Sequence, residues 1–197
     1  MIRLMVIIHL LLPFSALAEE DDVAAVRKAA TEVSKALAAR DWGTVYDGWC
    51  ERLQRANAWE AFFEVNFAIE TRQQWSKAAQ QLLDELFNED AAEKALAAVL
   101  KKNPKLDDDT EMKILLDHVT DRRKLWVEWT KLMTADAEVV PTQGFAGARV
   151  EKTGAFALLT KGEITMLFKR EGGAWKISTE EIETEYRKAK ARSQPQR

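Results

Sequence analysis

Cysteine is almost missing from this chain: Cys50 is the only one in 197 residues. That excludes a disulfide framework within one copy. Histidine is nearly as scarce, with His9 and His118 alone. A zinc site needs several Cys, His or carboxylate ligands converging, so this inventory argues against one. Basic residues show no excess: 29 Lys and Arg stand against 32 Asp and Glu, for a net charge of −3. Nothing there is a basic footprint for nucleic acid. No apolar run reaches the roughly 20 residues that a membrane-spanning helix needs. The chain also lacks a Gly-x-Ser-x-Gly elbow, a Walker loop and a Gly-x-Gly-x-x-Gly fingerprint. Asp107-Asp108-Asp109 lacks the spacing and terminal Glu of a calcium loop, and reads as the start of a helix. No cofactor and no metal are implied.

What is present begins with an address. Arg3 supplies a short positive region, Leu4 to Leu12 is apolar apart from His9, and Ala16-Leu-Ala18 is a small-x-small site followed by Glu19-Glu-Asp-Asp22. This is the pattern of a secretory signal peptide over residues 1–18, cut after Ala18. Its removal leaves 179 residues at a net charge of −4. The expectation is a periplasmic or secreted protein with no membrane insertion after cleavage. A single α+β domain is expected over 19–192, with a flexible tail at 193–197.

The mature part opens with helical rhythms. Val23, Val26, Ala30, Val33 and Leu37 recur at steps of three and four, which predicts a helix from the acids at 21–22 to about Arg40. Asp41 is placed as the N-cap of a second helix, with Trp42, Val45, Tyr46, Trp49, Cys50 and Leu53 on one face. That rhythm is taken to outweigh Gly43 and Gly48. Cys50 reads as a buried small hydrophobe. A long helical region follows from Ala58 to Phe87, broken near Thr71, with Trp59, Phe62, Phe63, Phe67 and Ile69 as the apolar face of its first half. Asn88 ends it, and Asp90 starts a helix that Asn103-Pro104 stops. One last large helix is expected from Asp107 to about Thr134.

The period then changes from helix to strand. Val139-Val140 reads as a short strand. Arg149–Lys152, Ala155–Thr160, Glu163–Arg170 and Ala174–Thr179 read as strands joined by glycine turns, a pattern of antiparallel hairpins. Ile164, Met166 and Phe168 share one face, as do Trp175 and Ile177, and these should face helices. Glu180–Arg192 is acidic first and basic later, as a helix dipole prefers.

Two stretches together carry a resemblance. The N-terminal helix leads into Lys35-Ala-Leu37-Ala-Ala-Arg-Asp41-Trp-Gly-Thr-Val45-Tyr46, and the chain closes on Phe168-Lys-Arg-Glu-Gly-Gly-Ala-Trp175-Lys-Ile-Ser178. This resembles the nuclear transport factor 2-like superfamily, in which helices fill the concave side of a curved antiparallel sheet. The resemblance implies N-terminal helices packed on a C-terminal curved antiparallel sheet. The helices from Ala58 to Thr134 depart from it, as a large helical insertion or as a helical bundle bearing a small sheet. The superfamily includes ketosteroid isomerases and polyketide cyclases as well as non-catalytic binding domains. The isomerase site needs an acid in the cone and a tyrosine on the first helix. Val23–Arg40 has no tyrosine, Tyr46 lies on the next helix, and Ala155–Thr179 has no aspartate. That chemistry does not carry over.

The functional expectation is therefore a non-catalytic binding or interaction module. It would hold a small apolar molecule or a protein partner, with a homodimer possible. Trp42, Tyr46, Trp49 and Phe63 are the candidate lining residues, although aromatics at helical spacing are mostly core. The alternative is a small enzyme of the isomerase or cyclase type, with His118 or Tyr46 as the acid–base group.

Overall fold

The computed structural model describes residues 2–71, 73–138, 141–178 and 187–188. Among the described residues it is an α+β fold with seven helices followed by a four-stranded antiparallel sheet. Two compact units emerge from the packing. One, the sheet unit, comprises Met1–Ala39, Gly48–Cys50 and Val140–Arg197; the other, the helical unit, comprises Arg40–Asp47 and Glu51–Val139. The expected strand at Val139-Val140, the helix at Glu180–Arg192 apart from 187–188, and the tail at 193–197 lie outside the described residues.

In the sheet unit, helix α1 (Ile2–Ala39) stops one residue short of the expected Arg40. It begins well before Asp21-Asp22, so those acids do not mark a helix start. Arg40 ends the helix in the left-handed region at φ 56°. Strands β1 (Arg149–Thr153), β2 (Phe156–Lys161), β3 (Ile164–Glu171) and β4 (Ala174–Ile177) form a meander in sequence order. Gly172 and Gly173 both take positive φ (57° and 84°), the type I′ geometry that suits the strand twist of a tight hairpin. The alternation works as the sequence predicts. Phe168, Trp175, Ala157 and Leu159 are buried with Val26 and Ala30 of α1, and Ile164, Met166 and Ile177 pack against that cluster. A second α1 face holds the segment before β1. Arg27 donates to the Ala148 carbonyl at 2.9 and 2.7 Å, Thr31 accepts from the Phe145 amide at 3.3 Å, and Ser34 accepts from the Gln143 amide at 2.7 Å. Residues 27, 31 and 34 are one stripe of a 3.6-residue helix.

The second expected helix does not run through to Leu53. Helix α2 (Trp42–Asp47) ends at Gly48, and α3 starts at Glu51. Residues 48–50 join the sheet edge instead: Ile177 donates to the Gly48 carbonyl and the Cys50 amide donates to the Ile177 carbonyl, each at 2.8 Å. The low helix propensity of Gly48, together with those edge bonds, prevails over the apolar rhythm. Cys50 is wholly buried, with its Sγ 3.5 Å from the Ser178 Oγ.

The helical unit is built from α2, α3 (Glu51–Thr71), α4 (Gln73–Leu86), α5 (Glu89–Leu100), α6 (Asp108–Asp117) and α7 (Arg122–Met133). The break near Thr71 falls where the sequence places it. Asn88 is the N-cap of α5, accepting from the Ala91 amide at 3.1 Å, so that helix starts one residue earlier than Asp90. The single helix expected from Asp107 to Thr134 is two. His118 caps the end of α6, and Asp121 caps the start of α7 by accepting from the Lys124 amide at 2.8 Å. Between them the chain is pulled out of register. Thr120 donates to the Leu86 carbonyl from its amide at 2.8 Å and from its hydroxyl at 3.1 Å, and Val119 bridges Phe87. The core of this unit holds Ala58, Phe62 and Val65 of α3 with Leu82 and Leu86 of α4 and Leu116, Leu125 and Trp129 of α6 and α7.

Candidate functional site

Of the candidate lining residues in the helical unit, Trp42 and Tyr46 come together. Trp42 and Tyr46 both meet Trp126, at ring-centroid distances of 6.3 and 5.6 Å. They form a packed aromatic cluster of the helical unit, in which Tyr46 is 6% exposed. Trp49 belongs to the sheet unit, where it bridges Ile177. Phe63 is 62% exposed on α3. Helix spacing explains the last result. Adjacent residues on a helix diverge by about 100°, so Phe62 and Phe63 cannot both face inward. The stripe that turns to the core is Ala58, Ala61, Phe62, Val65 and Ala68, mostly small residues that admit close helix approach. Phe63 and Phe67 lie on another stripe, one turn apart, at 62% and 45% exposure.

That stripe borders a groove. Asn66 and Glu70 each follow one of the two phenylalanines by three residues, and so neighbour them on the helix surface. Both line a cavity of about 270 Å³. Its apolar floor is Ile69, Leu83 and Phe87; its rim holds Gln80, Asp84 and Glu89 in addition. The floor is set by core packing, since Phe87 meets Phe62 edge-on at 4.8 Å and Leu83 belongs to the core. The rim is acidic, with Glu70, Asp84 and Glu89 and, among the described residues, no basic side chain in the lining. Gln80 donates to Asp84 at 2.7 Å, and Asn66 turns its amide to the Phe62 carbonyl at 2.8 Å. Glu70 and Glu89 form no ion pair among the described residues. The sequence reading did not single out Asn66, Glu70, Asp84 and Glu89. The available signal was polar pairs at i, i+4 (Asn66/Glu70 and Gln80/Asp84) beside the apolar stripe.

The acid–base candidates are occupied or isolated. The Tyr46 hydroxyl donates to the Gln54 carbonyl at 3.3 Å, and burial pushes its pKa above the usual phenol value. His118 sits at the C-terminal end of α6, where its backbone carbonyl accepts from the Asn88 amide at 3.1 Å. Asp117 is held by Arg122 at 2.7 Å, and Asp121 is engaged as a cap. Neither makes a hydrogen bond to the imidazole among the described residues. No group of three or more His, Cys, Asp or Glu among the described residues could hold a metal ion.

The densest ionic cluster is in the sheet unit. Asp22 accepts from Lys152 at 2.5 Å and from the Trp175 indole at 3.3 Å, with Arg170 at 3.3 Å. The hydrogen bond from Lys152 holds its carboxyl below the ordinary carboxylate value, against an opposing desolvation and with help from Trp175. Its side chain is 13% exposed, and its two oxygens are occupied by these three partners. It ties α1 to β1, β3 and β4. In the helical unit, Arg123 clasps Asp47 with two bonds, at 2.8 and 2.9 Å. Its guanidinium crosses Gly43, where an added Cβ would sit 2.3 Å from Nη2.

Comparison of the chain with protein-family models, curated proteins and solved structures yields no match.

Proposed function

We propose that this protein is an exported, non-catalytic interaction module that docks a protein partner on its helical unit. The observation that carries the reading is the Phe63–Phe67 pair, exposed on a helix whose other apolar face is already packed. Two large aromatics exposed one helical turn apart beside a concave surface suit a contact site. A small apolar ligand is the weaker choice. The aromatic cluster of Trp42 and Tyr46 is filled by Trp126, and the groove beside Phe67 has an acidic rim. An isomerase or cyclase role would need an acid–base pair, whereas the Tyr46 hydroxyl donates to the Gln54 carbonyl and His118 has no carboxylate hydrogen-bonded to its ring among the described residues.

Export rests on Arg3, the apolar run Leu4–Leu12 and the Ala16-Leu-Ala18 site. Among the described residues no helix is long and apolar enough to cross a membrane. Kinship with the nuclear transport factor 2-like superfamily is part of the same proposal. It draws support from the sheet unit alone, where α1 covers an antiparallel meander ending in Trp175-Lys-Ile177.

The test compares the wild-type protein with a Phe63→Ser/Phe67→Ser double variant, each purified from its own host's exported fraction. A protein that co-purifies with the wild type in fixed stoichiometry by native mass spectrometry, and is lost from the double variant, is the expected result. A partner retained by the variant would overturn the site; a retained small molecule with no protein would overturn the reading. The same spectra give the mature mass, which should begin at Glu19.

A further inference from the structure

We propose that the partner presents a basic, amphipathic segment. One of its apolar side chains enters the groove between α3 and α4, and its Lys or Arg residues meet Glu70, Asp84 and Glu89. This inference rests on the partner-docking reading and gives it a chemistry. Three features converge on it. The floor of Ile69, Leu83 and Phe87 offers apolar surface at the base of a cavity of about 270 Å³, enough for one or two side chains. Among the described residues, the rim above it carries three carboxylates and no cation, and Glu70 and Glu89 remain uncompensated there. Phe63 and Phe67 extend the apolar surface along α3 beyond the cavity itself.

The extension decides the class of occupant. A molecule small enough for the groove would leave the two phenylalanines in water. A peptide segment covers both, with one anchor in the groove and a second on the phenylalanine stripe. A second copy of this face is disfavoured by symmetry. An isologous contact sets each patch against itself, so the acidic rim with Glu70, Asp84 and Glu89 would be brought to a second acidic rim with no complementary charge among its described lining residues. A basic segment instead meets complementary charge at each rim position, which speeds encounter and selects against acidic chains. The rim acids are exposed, so their attraction is screened by salt, whereas the apolar anchor is not.

The experiment titrates the purified protein with three fluorescein-labelled helical peptides of about four turns each: Leu/Lys, Leu/Glu and Ser/Lys, all with the same spacing. The Leu/Lys peptide should bind at least about tenfold tighter than either of the others. Backbone amide shifts in isotope-labelled protein should cluster at residues 63–70 and 80–89. Glu70→Gln/Glu89→Gln should weaken binding about tenfold and flatten its salt dependence. Phe63→Ser/Phe67→Ser should weaken it by a similar factor and keep the salt slope. Equal binding of Leu/Lys and Leu/Glu at these residues would overturn the basic class while leaving partner docking standing. Equal binding of Leu/Lys and Ser/Lys would overturn the apolar anchor. Shifts elsewhere, self-association that blanks the same amides, or no binding by any peptide would overturn the inference. The co-purification comparison decides the docking reading separately.

Discussion

The two units spend their charge differently. In the sheet unit, the acid at the heart of the packing, Asp22, is consumed by Lys152, Arg170 and Trp175 and binds one helix to three strands. In the helical unit, Asp47 is clasped by Arg123 and Glu64 accepts from the Trp129 indole at 2.8 Å, yet Glu70 and Glu89 have no ion-pair partner among the described residues. The apolar side chains follow the same division. The sheet unit turns Phe168 and Trp175 inward, whereas the helical unit leaves Phe63 and Phe67 outside. Interactions that are saturated internally build a fold. The side chains exposed on α3 are the ones on which the docking proposal rests. The comparison can be broken by showing that the units are not energetically separate, or that the open groups matter to folding.

The largest effect tests separateness. Phe168 is wholly buried among α1 and the strands, and Phe168→Ala should cost about 3–5 kcal/mol. Hydrogen exchange read by mass spectrometry should show that loss in β2 and β3, with α3 and α4 unchanged. Leu116→Ala, in the helical core, should produce the converse at about 2–5 kcal/mol. Equal loss of protection throughout for either variant would make the two units one cooperative body and remove the contrast.

Asp22→Asn comes next, at about 1–2 kcal/mol near neutral pH. The amide can still accept from the Trp175 indole, but its NH₂ group faces a Lys152 ammonium that has only protons to offer. The sign of the pH dependence follows from the depressed carboxyl pKa. The folded state holds the ionised form, so the stabilisation is fully present above the unfolded value near 4 and is lost as pH falls through the lower folded value. Acid titration of sheet-unit stability should therefore show a limb below about pH 4 that is shallower in Asp22→Asn. An unchanged limb would mean that Asp22 is not the linkage point.

Smaller still is the cap of α7. Asp121→Ala leaves the Lys124 amide without its side-chain acceptor and should cost about 1 kcal/mol, with faster exchange in the first turn of α7. No change there would mean that the tether from Thr120 to Leu86 alone sets the helix start.

These residues also show where the sequence was readable. The strands were legible because Ile164, Met166 and Phe168 recur at every second residue, and glycines mark each turn. The caps at Asp41 and Asp107 were legible because a carboxylate before an apolar rhythm has a local reason to be there; Asp41 accepts from the Thr44 amide at 3.1 Å and Asp107 from the Thr110 amide at 2.8 Å. The breaks at Gly48–Cys50 and His118–Asp121 were not legible. Each is made by partners far along the chain, Ile177 in one case and Leu86 in the other, and periodicity holds no record of them. The candidate site was misjudged for a related reason. Large aromatics were read as the apolar face of α3, but the alanines at 58, 61 and 68 mark the side where helices come close. Phe63 was named for a lining and is 62% exposed on α3. The acids that rim the groove are brought together by packing between α3, α4 and the start of α5, which no single stretch encodes.

The smallest expected effect on stability bears most on function. Phe63 and Phe67 are exposed, so their replacement by serine removes little buried area and should change unfolding free energy by no more than about 0.5 kcal/mol per site. A slight gain is possible in solubility, since two aromatics leave the surface. Phe62→Ser, one residue away and 6% exposed, should instead cost about 3–5 kcal/mol by opening a cavity and burying a hydroxyl. Chemical denaturation of the three single variants, followed by helical circular dichroism, measures this contrast directly. A large loss for Phe63→Ser would mean that the outer stripe of α3 is structural after all, and partner docking would lose the residues on which it stands. A near-silent pair, set against a damaging neighbour, keeps the phenylalanines free of any folding role. That outcome would leave their exposed faces available for the proposed docking.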